Sequence, residues 1–183
     1  NNAFSPQIAV DNNGMVYVTY QQFDGPKSHI YLSRYDGFNV SIWDNDTSSW
    51  TTNLSEGDPI DTGTTNSAYD PQIAIDADGI VYVTYRQYNG ERCHIYLIRY
   101  DGSEVSIWDN DSSGWTTSFD EGDPIDTGNA NSAGDPQIAI DITGIVYITY
   151  EQYDGNRYHI YLSRYDGTKV GIWDTDISDW SFT

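Results

Sequence analysis

The sequence predicts an all-β fold: a β-propeller of three 65-residue blades, each with four antiparallel strands. The first observation is an internal repeat, because Pro6-Gln7-Ile8-Ala9 recurs at residues 71–74 and again at 136–139 (71 − 6 = 65 and 136 − 71 = 65). The second is that each repeat holds short runs rich in Val, Ile, Tyr and Thr, which favour strands. The third is that Gly-containing turns separate these runs, while the connections lack helical periodicity.

Within the first repeat, the strands follow one another through short turns. Asp11-Asn12-Asn13-Gly14 and Asp36-Gly37 have the chemistry of tight hairpins, since Asn, Asp and Gly tolerate positive φ. A longer Gly-containing loop, residues 23–25, joins the second strand to the third. The predicted strands are residues 7–11, 16–21, 29–35 and 40–43.

A long polar connection, residues 44–69, follows the fourth predicted strand and is rich in Asp, Asn, Ser and Thr. Loops of this length inside a compact domain are usually functional, or are held in place by packing or by an ion. With the connections included, the repeats cover approximately residues 1–65, 66–130 and 131–183 of a single domain.

Three blades are too few to close a ring, since propellers typically have about four to eight. The two open radial faces would expose apolar surface, which is a liability unless it is covered. Two copies of the chain would supply six blades with twofold symmetry, so we expect a homodimer. The alternative is that the chain belongs to a longer array of blades.

The chain is strongly acidic, with 28 Asp and Glu residues against 8 Lys and Arg and a net charge of −20. Nucleic acids and anionic membranes are bound through cationic side chains, so we expect neither as a partner. No apolar run approaches the roughly 18–20 residues that cross a membrane, so no membrane insertion is expected. We expect a secreted or cell-surface location.

The repeated pattern has a known counterpart. Pro-Gln-Ile-Ala-Ile-Asp-x-x-Gly-x-Val-Tyr-Val-Thr-Tyr is followed by Ile-Tyr-Leu-x-Arg-Tyr-Asp-Gly and a strand that ends in Trp. It resembles blades of the sialidase-like, Asp-box propeller superfamily, whose motif Ser-x-Asp-x-Gly-x-Thr-Trp lies between strands three and four. Here Ser33-Arg-Tyr-Asp36-Gly37 leads to Trp43 with a different spacing. The resemblance implies a propeller, with a glycosidase or sialidase-like enzyme as one possible function.

Tryptophans in the polar connections are candidate sugar-binding residues. An aromatic ring can stack on the apolar face of a sugar, while neighbouring Asp and Asn accept hydrogen bonds from its hydroxyls. The alternative is that each Trp anchors its loop on the sheet below. The three equivalent residues are Trp50, Trp115 and Trp180.

Polar side chains near the loop between strands two and three complete the predicted ligand-binding face. In a propeller meander this loop lies on the same face as the connection between blades, so residues at the loop should lie near residues of the connection. The predicted face joins Gln22, Asp24, Gly25 and His29 to Asp44, Asp46, Trp50, Asp58 and Asp61. A structural hydrogen bond at the start of a strand is the alternative role for the histidines. The predicted ligand-binding set is Gln22, Gln87, Gln152, His29, His94 and His159.

Calcium is the one cofactor that the sequence suggests. After the fourth strand of each repeat, two carboxylates stand two residues apart, and both could reach one hard cation. Capping of a turn by Asp is the alternative role. The pairs are Asp44 with Asp46, Asp109 with Asp111, and Asp174 with Asp176.

The sequence favours a non-enzymatic, multivalent binding module, with carbohydrate as the expected ligand and one weak site per blade. Linked weak sites gain avidity without new contacts, which suits near-identical repeats. A glycosidase would instead need a unique pair of carboxylates that breaks the symmetry of the repeats. A structural or adhesive segment of a larger surface protein is the third alternative.

Overall fold

A computed structural model describes residues 2–63, 66–127, 131–174 and 177–182. These residues form three five-stranded antiparallel sheets, one for each repeat, and no α-helix. Sheet 1 contains β1 (Ala3–Val10), β2 (Val16–Asp24), β3 (Lys27–Tyr35), β4 (Val40–Asp44) and β5 (Ser49–Thr51). Sheet 2 contains β6 (Ala68–Ile75), β7 (Val81–Tyr88), β8 (Cys93–Tyr100), β9 (Val105–Asp109) and β10 (Gly114–Thr116). Sheet 3 contains β11 (Ala133–Ile140), β12 (Val146–Tyr153), β13 (Tyr158–Tyr165), β14 (Val170–Asp174) and β15 (Asp179–Phe182).

The prediction of four strands per repeat was wrong, because each sheet has a fifth strand at its outer edge. In sheet 1 the fifth strand pairs antiparallel with β4, and Trp50 lies directly opposite Trp43. Residues 45–48 make the turn between the two strands, in which Ser48 has a positive φ of 48°. The predicted connection therefore begins with a hairpin, and the cross-strand Trp pair explains why it forms.

The first strand of each sheet also begins earlier than predicted, and it contains a bulge. In sheet 1 the pairing of β1 with β2 shifts register between Phe4 and Gln7. Pro6 has no N–H to donate to the ladder, and Ser5 beside it adopts a φ of 49°. The same shift falls at the equivalent Pro of sheets 2 and 3.

The two predicted hairpin turns are confirmed. The Asp11 carboxylate accepts hydrogen bonds from the backbone N–H groups of Asn13 and Met15, at 2.8 and 2.9 Å. The Asp36 carboxylate accepts from Phe38 and Asn39 in the same way, at 2.8 and 2.7 Å. Asp at the first turn position therefore fixes both hairpins.

The core lies between the sheets. Ile30, Leu32 and Trp43 of sheet 1 are buried against sheet 2, whose contribution includes Val81 and Val105. Sheet 2 buries its equivalent side chains against sheet 3. The first strand of each following sheet contacts the first three strands of the sheet before it. The described residues thus form three consecutive blade-like sheets that do not close into a ring.

The connection after β5 folds back onto its own sheet. Gly57 lies against the Ile42 side chain so closely that an added Cβ would be 2.3 Å from Ile42 Cδ1, so no larger residue fits without a shift. The Asp58 N–H then donates to the Trp43 carbonyl at 3.0 Å, and the Ile60 N–H donates to the Ile30 carbonyl at 2.8 Å. The connection is therefore held by backbone hydrogen bonds to β3 and β4.

Candidate functional site

Trp50 and Trp115, the predicted sugar-stacking residues, lie at the junctions between sheets. The Trp50 indole N–H donates to the Tyr100 hydroxyl of the next sheet at 3.0 Å. Trp115 donates to Tyr165 at the same distance. Each junction is thus joined by one hydrogen bond between an outer strand and the third strand of the following sheet.

The rings of these tryptophans already have partners. The Arg34 guanidinium lies over the Trp50 ring, 4.5 Å from its centroid, as a cation–π contact. Trp43 and Tyr100 contact the Trp50 ring in edge-to-face geometry, with centroids 5.5 and 5.3 Å away. This packing favours the anchoring role, and sugar stacking by these residues stays a prediction.

Trp180 has only part of this environment. It contacts Trp173 edge-on with centroids 5.4 Å apart, and Arg164 lies 4.5 Å from its centroid. Its indole N–H makes no hydrogen bond to a described residue, and the described residues contain no sheet after sheet 3 that would place a tyrosine beside it. We call the uncovered face of sheet 3 at Trp180 the half-built third junction, because it has the Trp and Arg partners of the other two junctions but no tyrosine from a following sheet.

As predicted, His29 lies beside Asp61. Its Nδ1 is 3.1 Å from both carboxylate oxygens, and the pair is buried. The Ile30 N–H also donates to Asp61, at 2.7 Å. Sheet 2 repeats the arrangement with His94 and Asp126.

Gln87 extends this network across the junction. Its amide nitrogen donates to Asp61 at 3.4 Å and to the Thr62 carbonyl at 3.1 Å, while its amide oxygen accepts from the Thr62 hydroxyl at 2.6 Å. Gln152 accepts from the Thr127 hydroxyl at 2.7 Å in the next junction. Both glutamines are buried, whereas Gln22, which has no preceding sheet, is half-buried.

This burial favours a structural role for His29, His94, Gln87 and Gln152, and their predicted contact with a ligand stays untested. His159 differs from its two equivalents, because it is exposed and its Nε2 lies 2.8 Å from Asp154 in the adjoining turn. The same residue type in the same repeat position thus occupies two different environments.

The His29–Asp61 pair predicts a pH dependence. The hydrogen bond to Asp61 raises the pKa of His29, and burial opposes this rise only in part. A raised folded-state pKa gives stability that is fully present below the unfolded value of about 6.5 and is lost as the pH rises through the folded value. We therefore expect the NMR titration of His29 to have a midpoint above about 6.5.

The control for this titration is Asp61→Asn, which removes the carboxylate and keeps the size of the side chain. Burial then acts on the imidazole without the charge of Asp61, so the pKa of His29 should fall from its value in the unchanged protein. An unchanged midpoint in this variant would show that Asp61 does not set the titration.

Two of the predicted calcium ligands, Asp44 and Asp109, accept backbone hydrogen bonds. Asp44 accepts from the Thr47 N–H at 3.2 Å, and Asp109 accepts from the N–H groups of Asp111 and Ser112 at 2.9 and 3.4 Å. Hydrogen bonds from Ser112 are the main cause of the lowered pKa of Asp109. These contacts match the turn-capping alternative.

Over the part of the chain that the structure describes, no group of three or more His, Cys, Asp or Glu side chains could hold a metal ion. Asp46 is exposed beside the first turn, and Asp174 ends β14. Asp176, the last of the predicted ligands, lies outside the described residues. Calcium binding stays a prediction.

A concave site lies between two consecutive connections. It is a groove with a volume of about 400 Å³, built by the connection of sheet 1 on one side and that of sheet 2 on the other. We call it the connection groove. Its lining residues are Asn45, Asp46, Asp58, Pro59, Asp61, Gly63, Ser118, Phe119 and Asp120.

The charged residues that line the connection groove are all negative. Its charged lining residues are all aspartates, among which Asp46 and Asp120 are exposed. Phe119 adds an apolar ring that also packs on the core between sheets 1 and 2. Because carboxylates only accept hydrogen bonds, the groove suits a ligand that is rich in hydroxyl donors and carries no negative charge.

Two fixed contacts shape the groove. Asp58 accepts from the Asn45 N–H at 2.9 Å, and the Asn45 side-chain amide donates to the Pro59 carbonyl at 2.6 Å. At the other side, the Asp120 carboxylate would lie 2.6 Å from a Cβ added to Gly63, whose φ is +73°. The positive φ of Gly63 favours glycine where the two connections meet, whereas the flexible Asp120 side chain can move aside.

The predicted face included Asp46, Asp58 and Asp61 but not Phe119. The sequence signal for the groove is the motif Glu-Gly-Asp-Pro-Ile-Asp, which occurs at residues 56–61 and 121–126 and places each connection on its sheet. Phe119 is harder to find, because its equivalent in the first repeat is Leu54 and the aromatic ring is not repeated.

The fold is similar to that of several solved structures. One of them belongs to the GH130 family of mannoside phosphorylases, which contains glycoside hydrolases that target beta-1,2 mannosidic linkages in Candida mannan. Its TM-score is 0.55 at 13% identity, and the match covers 100% of this chain and 51% of that one. An ulvan lyase of polysaccharide lyase family PL25 has a TM-score of 0.61 at 11% identity, covering 92% and 42%. A glycosyl hydrolase from Bacteroides ovatus has a TM-score of 0.54 at 14% identity, covering 100% and 51%.

These likenesses establish the fold, since identities this low carry no function with them. The chain spans about half the length of these structures. No protein-family model matches the sequence, and no curated protein matches it significantly. The resemblance to sialidase-like blades therefore stays a prediction.

Among the described residues, no helix is long and apolar enough to cross a membrane.

Proposed function

We propose that this chain is a non-enzymatic carbohydrate-binding module that takes neutral sugars in the connection groove. The observation that carries the proposal is the lining of the groove, where aspartates supply acceptors and Phe119 supplies an apolar ring. A sugar presents hydroxyl donors on its edge and an apolar face, so it complements both. The volume of about 400 Å³ falls within the range of small-ligand sites.

The structural neighbours share only the fold with this chain, and the ligand class that they suggest is an analogy. They are glycoside hydrolases and a polysaccharide lyase, all of which act on carbohydrate. Binding alone is favoured over hydrolysis here, because Asp61 is buried and already bonded to His29, while Asp58 accepts hydrogen bonds from backbone N–H groups. A hydrolase remains the alternative, and release of reducing sugar from a bound oligosaccharide would identify it.

Repetition supplies one side of a second, equivalent groove. The second repeat carries equivalents of the groove residues of the first connection, including Asn110, Asp111 and Asp123, whereas the residues that the second connection adds, Phe119 among them, are not repeated within these 183 residues. Sites linked on one rigid body gain avidity for a polymeric ligand without added contacts. We propose a secreted or cell-surface location on the same grounds, since extended glycans are met there.

The test is a glycan array that contains neutral oligosaccharides together with sulfated and sialylated ones. We expect neutral glycans to bind and anionic glycans to be rejected, because the groove has no cationic lining residue. Phe119→Ala should weaken binding roughly tenfold, which corresponds to about 1.4 kcal/mol. Leu54→Ala is the matched control, since it removes the equivalent side chain of the first repeat, which does not line the groove.

Two outcomes would contradict the proposal. An array without hits for neutral glycans would remove the ligand class. Equal loss of binding in Phe119→Ala and Leu54→Ala would place the site elsewhere. Thermal melting of both variants separates a lost contact from a lost fold, since Phe119 also packs on the core.

A further inference from the structure

The two outer faces of this molecule differ in exposure from their internal equivalents. On the outer face of sheet 1, Val40 is 51% exposed, whereas the equivalent Val105 is 2% exposed because sheet 1 covers it. On the outer face of sheet 3, Ile160 is 76% exposed, whereas Ile95 is fully buried by sheet 3 itself. Side chains that form the core at two junctions are thus left uncovered at the two ends.

The uncovered faces are complementary to each other. At each internal junction, a surface that carries the equivalents of Ile160 and Trp173 packs against a surface that carries the equivalents of Val40 and Tyr35. Sheet 3 presents the first of these surfaces and sheet 1 presents the second. A third junction of the same kind needs only that the two be brought together.

We propose that a second copy of this chain covers both faces, with sheet 3 of each copy packed on sheet 1 of the other. Within one chain the two faces are separated by the sheets between them, so they cannot meet. Two copies give six sheets, which falls in the range of about four to eight that closes a propeller, whereas one copy or three do not. The assembly is independent of the sugar-binding proposal.

The half-built third junction specifies one contact of this interface. Trp50 and Trp115 each donate to a tyrosine 50 residues further on, and that tyrosine donates in turn to a glycine carbonyl. Tyr35 makes the same donation, to Gly37 at 2.7 Å, which leaves its oxygen free to accept. The Trp180 indole N–H should therefore donate to Tyr35 of the second copy.

Light scattering after size exclusion tests the assembly. The intact chain, at about 0.15 M salt to screen its negative charge, should have about twice the single-chain mass of 20.7 kDa. Val40→Glu and Ile160→Glu should each give the single-chain mass, since each disables one of the two surfaces. Ile142→Glu is the matched control: this isoleucine is 98% exposed, outside both faces, so its variant should keep the double mass.

Mixing the two disabled variants sharpens the test. A Val40→Glu chain keeps its sheet 3 surface and an Ile160→Glu chain keeps its sheet 1 surface, so the mixture should recover a dimer through one intact junction. A like-to-like interface would instead let one of the variants dimerise alone. A single-chain mass for the intact protein, or dimers that persist in both variants, would overturn the proposal.

Discussion

Trp115→Ala should lower the free energy of unfolding by about 3–5 kcal/mol, the range for truncating a large aromatic side chain in a core. The Trp115 ring contacts Trp108, Tyr165 and Tyr82, and its N–H donates to Tyr165. Burial in this junction raises the pKa of Tyr82 to about 12. Chemical denaturation followed by circular dichroism gives the measurement.

Trp180→Ala is the matched control for that loss. It removes the same residue type at the same repeat position, but from the junction that lacks a tyrosine partner. Both variants belong in a Val40→Glu background, which keeps the third junction uncovered. The cost at Trp180 should be clearly smaller. If Trp115→Ala cost little stability and instead removed glycan binding, the sugar-stacking role would replace the anchoring one.

The blade-like fold follows closely from the sequence, because its strongest signals are local. Gly-containing turns with an Asp at the first position specify the hairpins, and the Asp11 and Asp36 carboxylates accept backbone hydrogen bonds in theirs. The fifth strand has no such local signal, since Ser49-Trp50-Thr51 is short and polar on both sides. Its pairing is accompanied by a Trp–Trp contact across the hairpin, which is present in sheet 3 as well, where the described residues contain no following sheet.

The candidate site follows less well from the sequence, because it depends on how two connections meet. The proximity of His29 to Asp61 could be predicted from alternation of loops between faces, and it is observed. The connection groove could not, because Gly63 and Asp120 come from different repeats and meet only after the sheets stack. The repeat in the sequence also predicts the same environment for equivalent residues in every sheet. In the structure, the burial of such a residue depends on whether its sheet lies at the end of the stack or inside it.

His29→Ala should destabilise the protein by about 3–5 kcal/mol, because it leaves a buried carboxylate without its ionic partner. Asp61 retains the Ile30 N–H at 2.7 Å and the Gln87 amide at 3.4 Å, which do not neutralise its charge. Burial raises the pKa of Asp61, and loss of the imidazole should raise it further. The loss should therefore be largest near neutral pH and should shrink in acid, where Asp61 becomes protonated.

His159→Ala provides the comparison within the same chain. This histidine is exposed and faces Asp154 in a turn, where solvent screens the pair, so its removal should change the free energy of unfolding far less. Denaturation of both variants at pH about 7 and about 5, again with Val40→Glu in place, separates the two environments. Equal losses at the two positions would show that the histidines act through packing alone. A large loss at His29 that fades in acid, beside a small one at His159, follows only if the buried ion pair with Asp61 holds the connection on sheet 1 and, through Gln87, on sheet 2.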